Sequence, residues 1–550
     1  MTHIIKEERD LRFLYTKMED ASSFAVSGFN LSTSPEFLLL KLFETYEETG
    51  HPSDLFLISD SSPGSPGRGL DIIAKKMYES GDFKFLSGIL SPFLGFTPWM
   101  EKVVRENNIE GYTASIGTVA HWFREISASR PGLITRVGLG TFLDPRESGC
   151  YINDKGKDRR RIAQEIIMID GQEFIFFKGP QPDFSLIRGT TADEIGNMSM
   201  EKEGIYGSVF SIAQAAKAMP KRGIVFAQVE RIAKFGTLNP KAVHVPGPLI
   251  DYVVVSPEMY SWQGGNLEFD PGISGTIIPP DVPRSESTDQ LTFRDVITRR
   301  TAIEVANVIS EKKGPIIVNF GVGIPAEVPS ILNDEGLRDF VYSTVEAGPW
   351  GGVPLKGPDF GLSMGPFAII PLPDQFTLYE GGMIDLAVLG FMEVDHTGSV
   401  NPSSLRNKIT GPGGFPVIVT GSPRIIFSGA FTSGKPKIDV TMEGIKIISD
   451  GGKKFVKEAY QTLFSAKLMD GRKKEVTYIT ERGVFKLISG NLTLVEVAPG
   501  IDIERDIMDM MEFRPKLAPA VMEMDRAIFR NWKLGLSKKA PRHQQKIQEK

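Results

Sequence analysis

The stretch STVEAGPWGGVP, residues 343–354, sets one carboxylate among residues with almost no side chain. Ser343 to Val345 read as the end of a buried strand, and Glu346 stands at its lip, followed by Gly348, Gly351 and Gly352. A carboxylate there can serve as base, metal ligand, ion-pair partner or nucleophile. The segment has no neighbouring acid or histidine to complete a metal site. A base needs no crowd of glycines. A nucleophile gains from one, because a bulky electrophile must come within bonding distance and the resulting oxyanion must meet backbone N–H donors. The plainer reading is a loop glutamate that caps a helix or faces water.

A second pattern competes. Gly321-Val-Gly323-Ile-Pro-Ala326, after the apolar run PIIVNF, fits the dinucleotide fingerprint G-x-G-x-x-A, and Glu346 falls where a ribose-binding acid would stand. An NAD(P)-dependent oxidoreductase is therefore the rival. Against it, Pro325 and Pro329 leave room for a short helix only before Asn333-Asp334-Glu335-Gly336. A ribose-binding acid also needs no AGPWGG behind it. Of the six histidines, only His121 and His396 lie near glycine-rich loops, so a hydride-site partner is hard to find.

The elements that must carry these residues alternate. FAVSGFN (24–30), DLFLISD (54–60), GLITRVGLGTFLDPR (132–146) and FSLIRGTTADEIGN (184–197) each run from apolar strand into loop. EFLLLKLFETYEETG (36–50) reads as an amphipathic helix stopped by Gly50. Such alternation predicts an α/β fold with a mostly parallel buried sheet. Residues 276–290, rich in proline, serine and charge, read as a linker, after which a helix (295–314) and the strand 315–320 restart the pattern. Residues 475–499 read as a hairpin turning at Ser489-Gly490-Asn491. The expected division is a lobe over 1–280, a second over 291–536 bearing Glu346, and a basic solvated tail over 537–550. An acid-to-glycine echo, Asp193-Glu-Ile-Gly196 and Asp395-His-Thr-Gly398, each after a strand, suggests that the lobes are related.

Composition narrows the classes. At 550 residues one core is not enough. The net charge of −5, without long single-sign runs, argues against nucleic acid or an anionic membrane as partner. No apolar run is long enough to span a bilayer, and MTHIIKEERDLRF lacks the apolar stretch of a secretory signal. The single Cys150 can form no internal disulfide, so the expectation is a cytoplasmic, metal-independent protein. Glycine is in excess, at 56 of 550 against roughly 7% in average proteins, mostly where strands turn into loops.

The segment around Glu346 resembles the catalytic segment of family I CoA-transferases. GGVPLKGPDFGLSMGP (351–366), QFTLYEGGMIDLAVLGFMEVDHTGSVNPS (375–403) and GPGGF (411–415) are similar to the segments after the nucleophile in that family. So are RPGLITRVGLGTFLDPR (130–146) and IRGTTADEIGN (187–197) to blocks of its first half, and YITERGVFKL (478–487) and VEVAPGID (495–502) to blocks near its end. In order, these blocks span most of 24–530, and the nearest type is the long single chain of two related lobes acting on acetate, propionate or 3-oxoacids.

The resemblance implies transfer of CoA from an acyl-CoA to a small carboxylate, through an acyl-glutamyl anhydride and a glutamyl-CoA thioester on Glu346. It implies no cofactor, since CoA is a substrate, and a homodimer or homotetramer. Asn401 and a glycine of the GPGGF loop, Gly414 or Gly413, would bind the oxyanion. Gly321, Gly323, Gly351 and Gly352 would place backbone beside the glutamyl carbonyl and substrate. For Asn401 the alternative is an Asx-turn before Pro402. Arg188 is expected to form an ion pair between lobes. Three departures bear on substrate: Ala114-Ser-Ile-Gly117 lacks the family's glutamine, residues 85–100 lack its Gly-Gly-His block, and Trp350 is bulkier than the residue common there. Together they predict a larger or more apolar acyl pocket than acetate needs. A non-catalytic CoA-binding paralogue and an acyl-CoA hydrolase remain the other readings.

Overall fold

The computed structural model describes residues 2–277, 290–405, 408–470 and 474–541. In the first lobe eight strands are β1 (His3–Ile5), β2 (Ser23–Val26), β3 (Leu55–Ile58), β4 (Leu86–Leu90), β5 (Glu110–Tyr112), β6 (Phe184–Arg188), β7 (Ile224–Val229) and β8 (Tyr252–Val255). They lie in the order β1-β8-β7-β6-β2-β3-β4-β5, every neighbouring pair parallel. β2, β3 and β6 are buried along their whole length, which is why they read as unbroken apolar runs. The expected helix runs Glu36–Thr49 and stops at Gly50, whose φ of +76° closes it in the left-handed conformation.

The second lobe begins with the helix Phe293–Lys312, fixed at its start by a capping box between Thr292 and Asp295. Its sheet contains β9 (Ile316–Phe320), β10 (Val341–Thr344), β11 (Pro349–Trp350), β12 (Ala368–Ile369), β13 (Leu386–Leu389), β14 (Arg424–Ser428), β15 (Glu475–Ile479), β16 (Gly483–Ile488), β17 (Asn491–Val497) and β18 (Lys516–Glu523). The order is β12-β11-β10-β9-β13-β14-β15-β16-β17-β18. Its five central strands, β10-β9-β13-β14-β15, are all parallel. β16 and β17 make the expected hairpin, turning through Ser489 and Gly490 at φ of +48° and +71°. From β9 the next strand, β10, lies on one side and β13 on the other. That reversal opens a crevice at the carboxyl ends of the strands, where ligands settle in such sheets.

The internal echo is present in the backbone. Asp193 Oδ1 accepts the N–H of Ile195 (3.1 Å) and Asn197 (2.9 Å), and Asp395 Oδ1 accepts those of Thr397 (2.8 Å) and Ser399 (3.0 Å). Gly196 and Gly398 both donate back to the aspartate carbonyl at 2.9 Å, with φ of +89° and +87°. Each turn joins an antiparallel pair whose first strand also meets a parallel third.

Most of the expected linker, 278–289, and the tail beyond 541 lie outside the described residues. At the start of that tail Ser537 and Lys538 are exposed, as expected, and Ala540 is buried. Among the described residues no helix is long and apolar enough to cross a membrane.

The lobes meet through the helices Ile116–Ser127 and Leu372–Glu380. Arg124 pairs with Asp374 at 2.6 Å across the contact. A Cβ on Gly117 would come within 2.6 Å of Phe376 and 2.8 Å of Val417, so glycine sets how closely the lobes approach. One continuous apolar cluster joins Phe29, Ile116 and Ala120 to Phe376, Tyr379 and Val417.

Candidate active site

Glu346 follows β10 at the apex of a reversal into β11, where Gly348 donates to Val345 O and Val345 to Pro349 O, both at 3.0 Å. The glycines behind it serve this reversal. A Cβ on Gly348 would strike Ile370 O, one on Gly352 would strike Met364 O, and one on Gly351 would meet the Phe367 ring. All three have positive φ, and Gly351 and Gly352 do not line the cavity that Glu346 faces. Their expected place beside the substrate is thus corrected to a place in the turn.

Clearance over the carboxylate comes from Gly414. Its φ of −83° suits any residue, yet a Cβ there would collide with a Glu346 carboxylate oxygen. Its backbone N–H lies near enough to that carboxylate to favour its charged form. Gly413, by contrast, donates to Pro92 O (3.0 Å) and accepts from Ile116 N–H (2.9 Å), both in the first lobe. The two glycines divide the work: Gly413 ties the lobes, and Gly414 faces the carboxylate. Glu346 sits deep in the protein while keeping some surface on the cavity, and burial pushes its pKa up to about 7 against the opposing pull of the Gly414 N–H.

Beneath it lies a buried polar chain. Asn319 Nδ2 donates to Tyr379 Oη (3.0 Å), Tyr379 donates to Thr344 Oγ1 (3.0 Å), and Thr344 donates to Val318 O (3.2 Å). Burial holds the Tyr379 hydroxyl well above its usual range, and the Glu346 charge adds to this. Sequence reasoning missed Asn319, although a polar residue set inside the apolar run PIIVNF was a visible signal. Gly321 lines the cavity, but its N–H is engaged with Val388 O at 2.9 Å. Gly323 also lines it, with a φ of +87° that glycine alone adopts readily. The helix after this turn, Val328–Asp334, is seven residues long, preceded by a tight turn over Ile324–Glu327.

Asn401 takes the Asx-turn arrangement. Its Oδ1 accepts from Ser403 (3.2 Å) and Ser404 (3.1 Å), and Nδ2 donates to Glu393 (2.7 Å) and Ser404 O (2.6 Å). With both amide hydrogens engaged and the side chain fully buried, it shapes the wall at Pro402 and Ser403 rather than meeting an oxyanion. Arg188 pairs with Glu203 at 2.9 Å inside the first lobe, correcting the expected inter-lobe pair. Trp350 turns from the cavity and donates to Gln375 at 2.7 Å.

The cavity measures about 680 Å³ and draws on both lobes. The first supplies Phe29, Asn30, Ser61, Phe93, Phe96 and Ile116. At another part of its wall Lys454 donates to Ala430 O (3.0 Å), lies 4.0 Å from the Phe391 ring centre, and is pushed down by burial to about 8.

A family model described as coenzyme A transferase matches residues 14–256. The chain is 37% identical over 519 residues to the caffeate CoA-transferase of Acetobacterium woodii, covering 93% of this chain and 95% of that relative. It is 34% identical over 494 residues to the acetate CoA-transferase YdiF of Escherichia coli K12, covering 90% and 89%. The fold superposes on the acyl-CoA transferase YdiF of E. coli O157:H7, crystallised as a thioester complex with CoA, with a TM-score of 0.85, 31% identity and 97% of both chains covered.

Proposed function

The chain belongs to the coenzyme A transferase family, and we propose that it moves CoA from an acyl-CoA to a free carboxylic acid through covalent intermediates on Glu346. The observation that carries this is the Glu346 carboxylate set against Gly414 on a cavity wall where a Cβ would not fit. A carboxylate so placed can be reached by a carbonyl carbon, and a donor already stands beside the oxygen that becomes negative.

In the first step a Glu346 oxygen adds to the thioester carbonyl, the carbon–sulfur bond breaks, and CoA leaves as thiolate from an acyl-glutamyl anhydride. The thiolate then adds to the glutamyl carbonyl. The anhydride carbon–oxygen bond breaks on the side of Glu346, releasing the first acid and leaving a glutamyl-CoA thioester. A second carboxylate runs both steps in reverse. The tetrahedral oxyanion of the glutamyl carbonyl receives the Gly414 N–H. Such a donor is worth about 3–4 kcal/mol. Asn319, Tyr379 and Thr344 fix the end of β10 and so the direction of Glu346. Gly321 and Gly323 keep that side of the cavity open, and Asn401 positions its Pro402–Ser403 wall. Two lobes closing on one cavity limit water, which would hydrolyse either intermediate.

The test is to incubate the protein with acyl-CoAs and no acceptor, reduce with borohydride, and map the peptide carrying Glu346 by mass spectrometry. A glutamyl thioester is reduced to the alcohol, with loss of one oxygen and gain of two hydrogens. An unchanged Glu346 in protein that transfers CoA rules out the covalent route.

A further inference from the structure

Residues 92–97 of the first lobe are laced onto the loop that carries Gly414. Gly413 N–H donates to Pro92 O at 3.0 Å, and Leu94 N–H donates to Thr410 O at 2.7 Å, so Phe93 is held between two inter-lobe bonds. A Cβ on Gly413 would stand 3.8 Å from the Phe93 ring, while one on the next residue would strike the Glu346 carboxylate. Ring and carboxylate therefore flank two successive residues of one loop. Phe96 lies close by, its ring centre 5.4 Å from that of Phe93 and tilted by 56°. Both rings are only half-buried and both line the cavity, whereas Phe29, Ile116 and Phe360 beside them are almost wholly covered. Two open aromatic rings in an interior cavity are apolar surface awaiting a cover. An acetyl group covers little of it. A planar ring entering the wedge makes tilted or offset contacts with both, the geometry aromatic groups favour.

Resting on the transfer reading above, we propose that Phe93 and Phe96 are the specificity-determining residues of this enzyme and select carboxylic acids bearing an aromatic ring on the acyl side. Relatives named for caffeate and for acetate stand at similar identity, so the decision lies in the cavity wall.

With one acyl-CoA as donor throughout, kcat/KM is measured for cinnamate and for acetate as acceptors. The expected ratio is about tenfold or more in favour of cinnamate. Phe93→Ala and Phe96→Ala each lower that ratio about tenfold, and Phe93→Leu, which keeps most of the apolar volume, lies between. Borohydride trapping on each variant shows that Glu346 is still charged and the protein folded, and the leucine variant decides if alanine prevents folding. A wild-type ratio below one overturns the proposal. So does an alanine variant that lowers both acids in proportion, since the rings would then face the CoA arm. Transfer to acetate alone refutes only the selection, whereas transfer to no acid at all refutes the reading on which it rests.

Discussion

As the proposed nucleophile, Glu346 meets two demands that pull apart: it would have to be ionised to attack, and the burial that would shield its intermediates disfavours the charge. With its pKa raised to about 7, kcat/KM should climb with pH through that value and level off above it. A rate–pH profile checks this, and a flat profile between pH 5 and pH 8 would mean that the carboxylate ionises like an exposed one. Stability moves the opposite way. The folded pKa lies above the ordinary glutamate value of 4.5, so the folded protein holds the proton more tightly and loses stability as pH rises from about 4.5 to about 7. Glu346→Gln should therefore abolish transfer yet stabilise the protein above pH 7, by at most about 3 kcal/mol in denaturant titration. The neighbouring glycine gives a sharper test. Gly414→Ala suits the backbone but not the carboxylate, so the fold should persist while kcat falls roughly 10²–10³-fold. An unchanged kcat would show that the Gly414 face is not the reacting one.

At the scale of elements, much was legible because it arises from local chemistry. The buried strands, the Gly50 stop, the Ser489-Gly490 turn and the crevice at the end of β9 all announce themselves through apolar runs and glycine. What stayed hidden depends on partners distant in sequence. Nothing near Glu346 says that its clearance comes from residue 414, or that Gly348, Gly351 and Gly352 are there for Ile370, Phe367 and Met364. Asn401 was ambiguous for the same reason, as its Asx-turn is decided by Glu393 across a strand pair. The Ala114-Ser-Ile-Gly117 departure also has an element-scale meaning: Ser115 caps the helix Ile116–Ser127 and Gly117 admits the helix of the other lobe. Gly117→Val should overpack that contact, lowering stability by ~1–3 kcal/mol and shifting the Gly413–Gly414 loop. Calorimetry beside kcat checks this, and an unaltered protein would show that the helices separate freely.

On the scale of the molecule, two related lobes share one turn design but contribute unlike parts. The second carries Glu346 and Gly414, the proposed nucleophile and donor, and the first carries Phe93, Phe96 and the three backbone groups at Pro92, Leu94 and Ile116 that hold the Gly414 loop. Measured together in rising urea, transfer to acceptor and release of free acid from acyl-CoA should decline in step. A rise in hydrolysis before transfer is lost would contradict this. The reason lies in the lacing of residues 92–97 to 410–413. Any parting of the lobes wide enough to flood the cavity first releases the loop that presents Gly414. On the proposed mechanism the machine would thus disarm before it leaks, and a damaged copy would fall silent instead of draining the cell's activated acids.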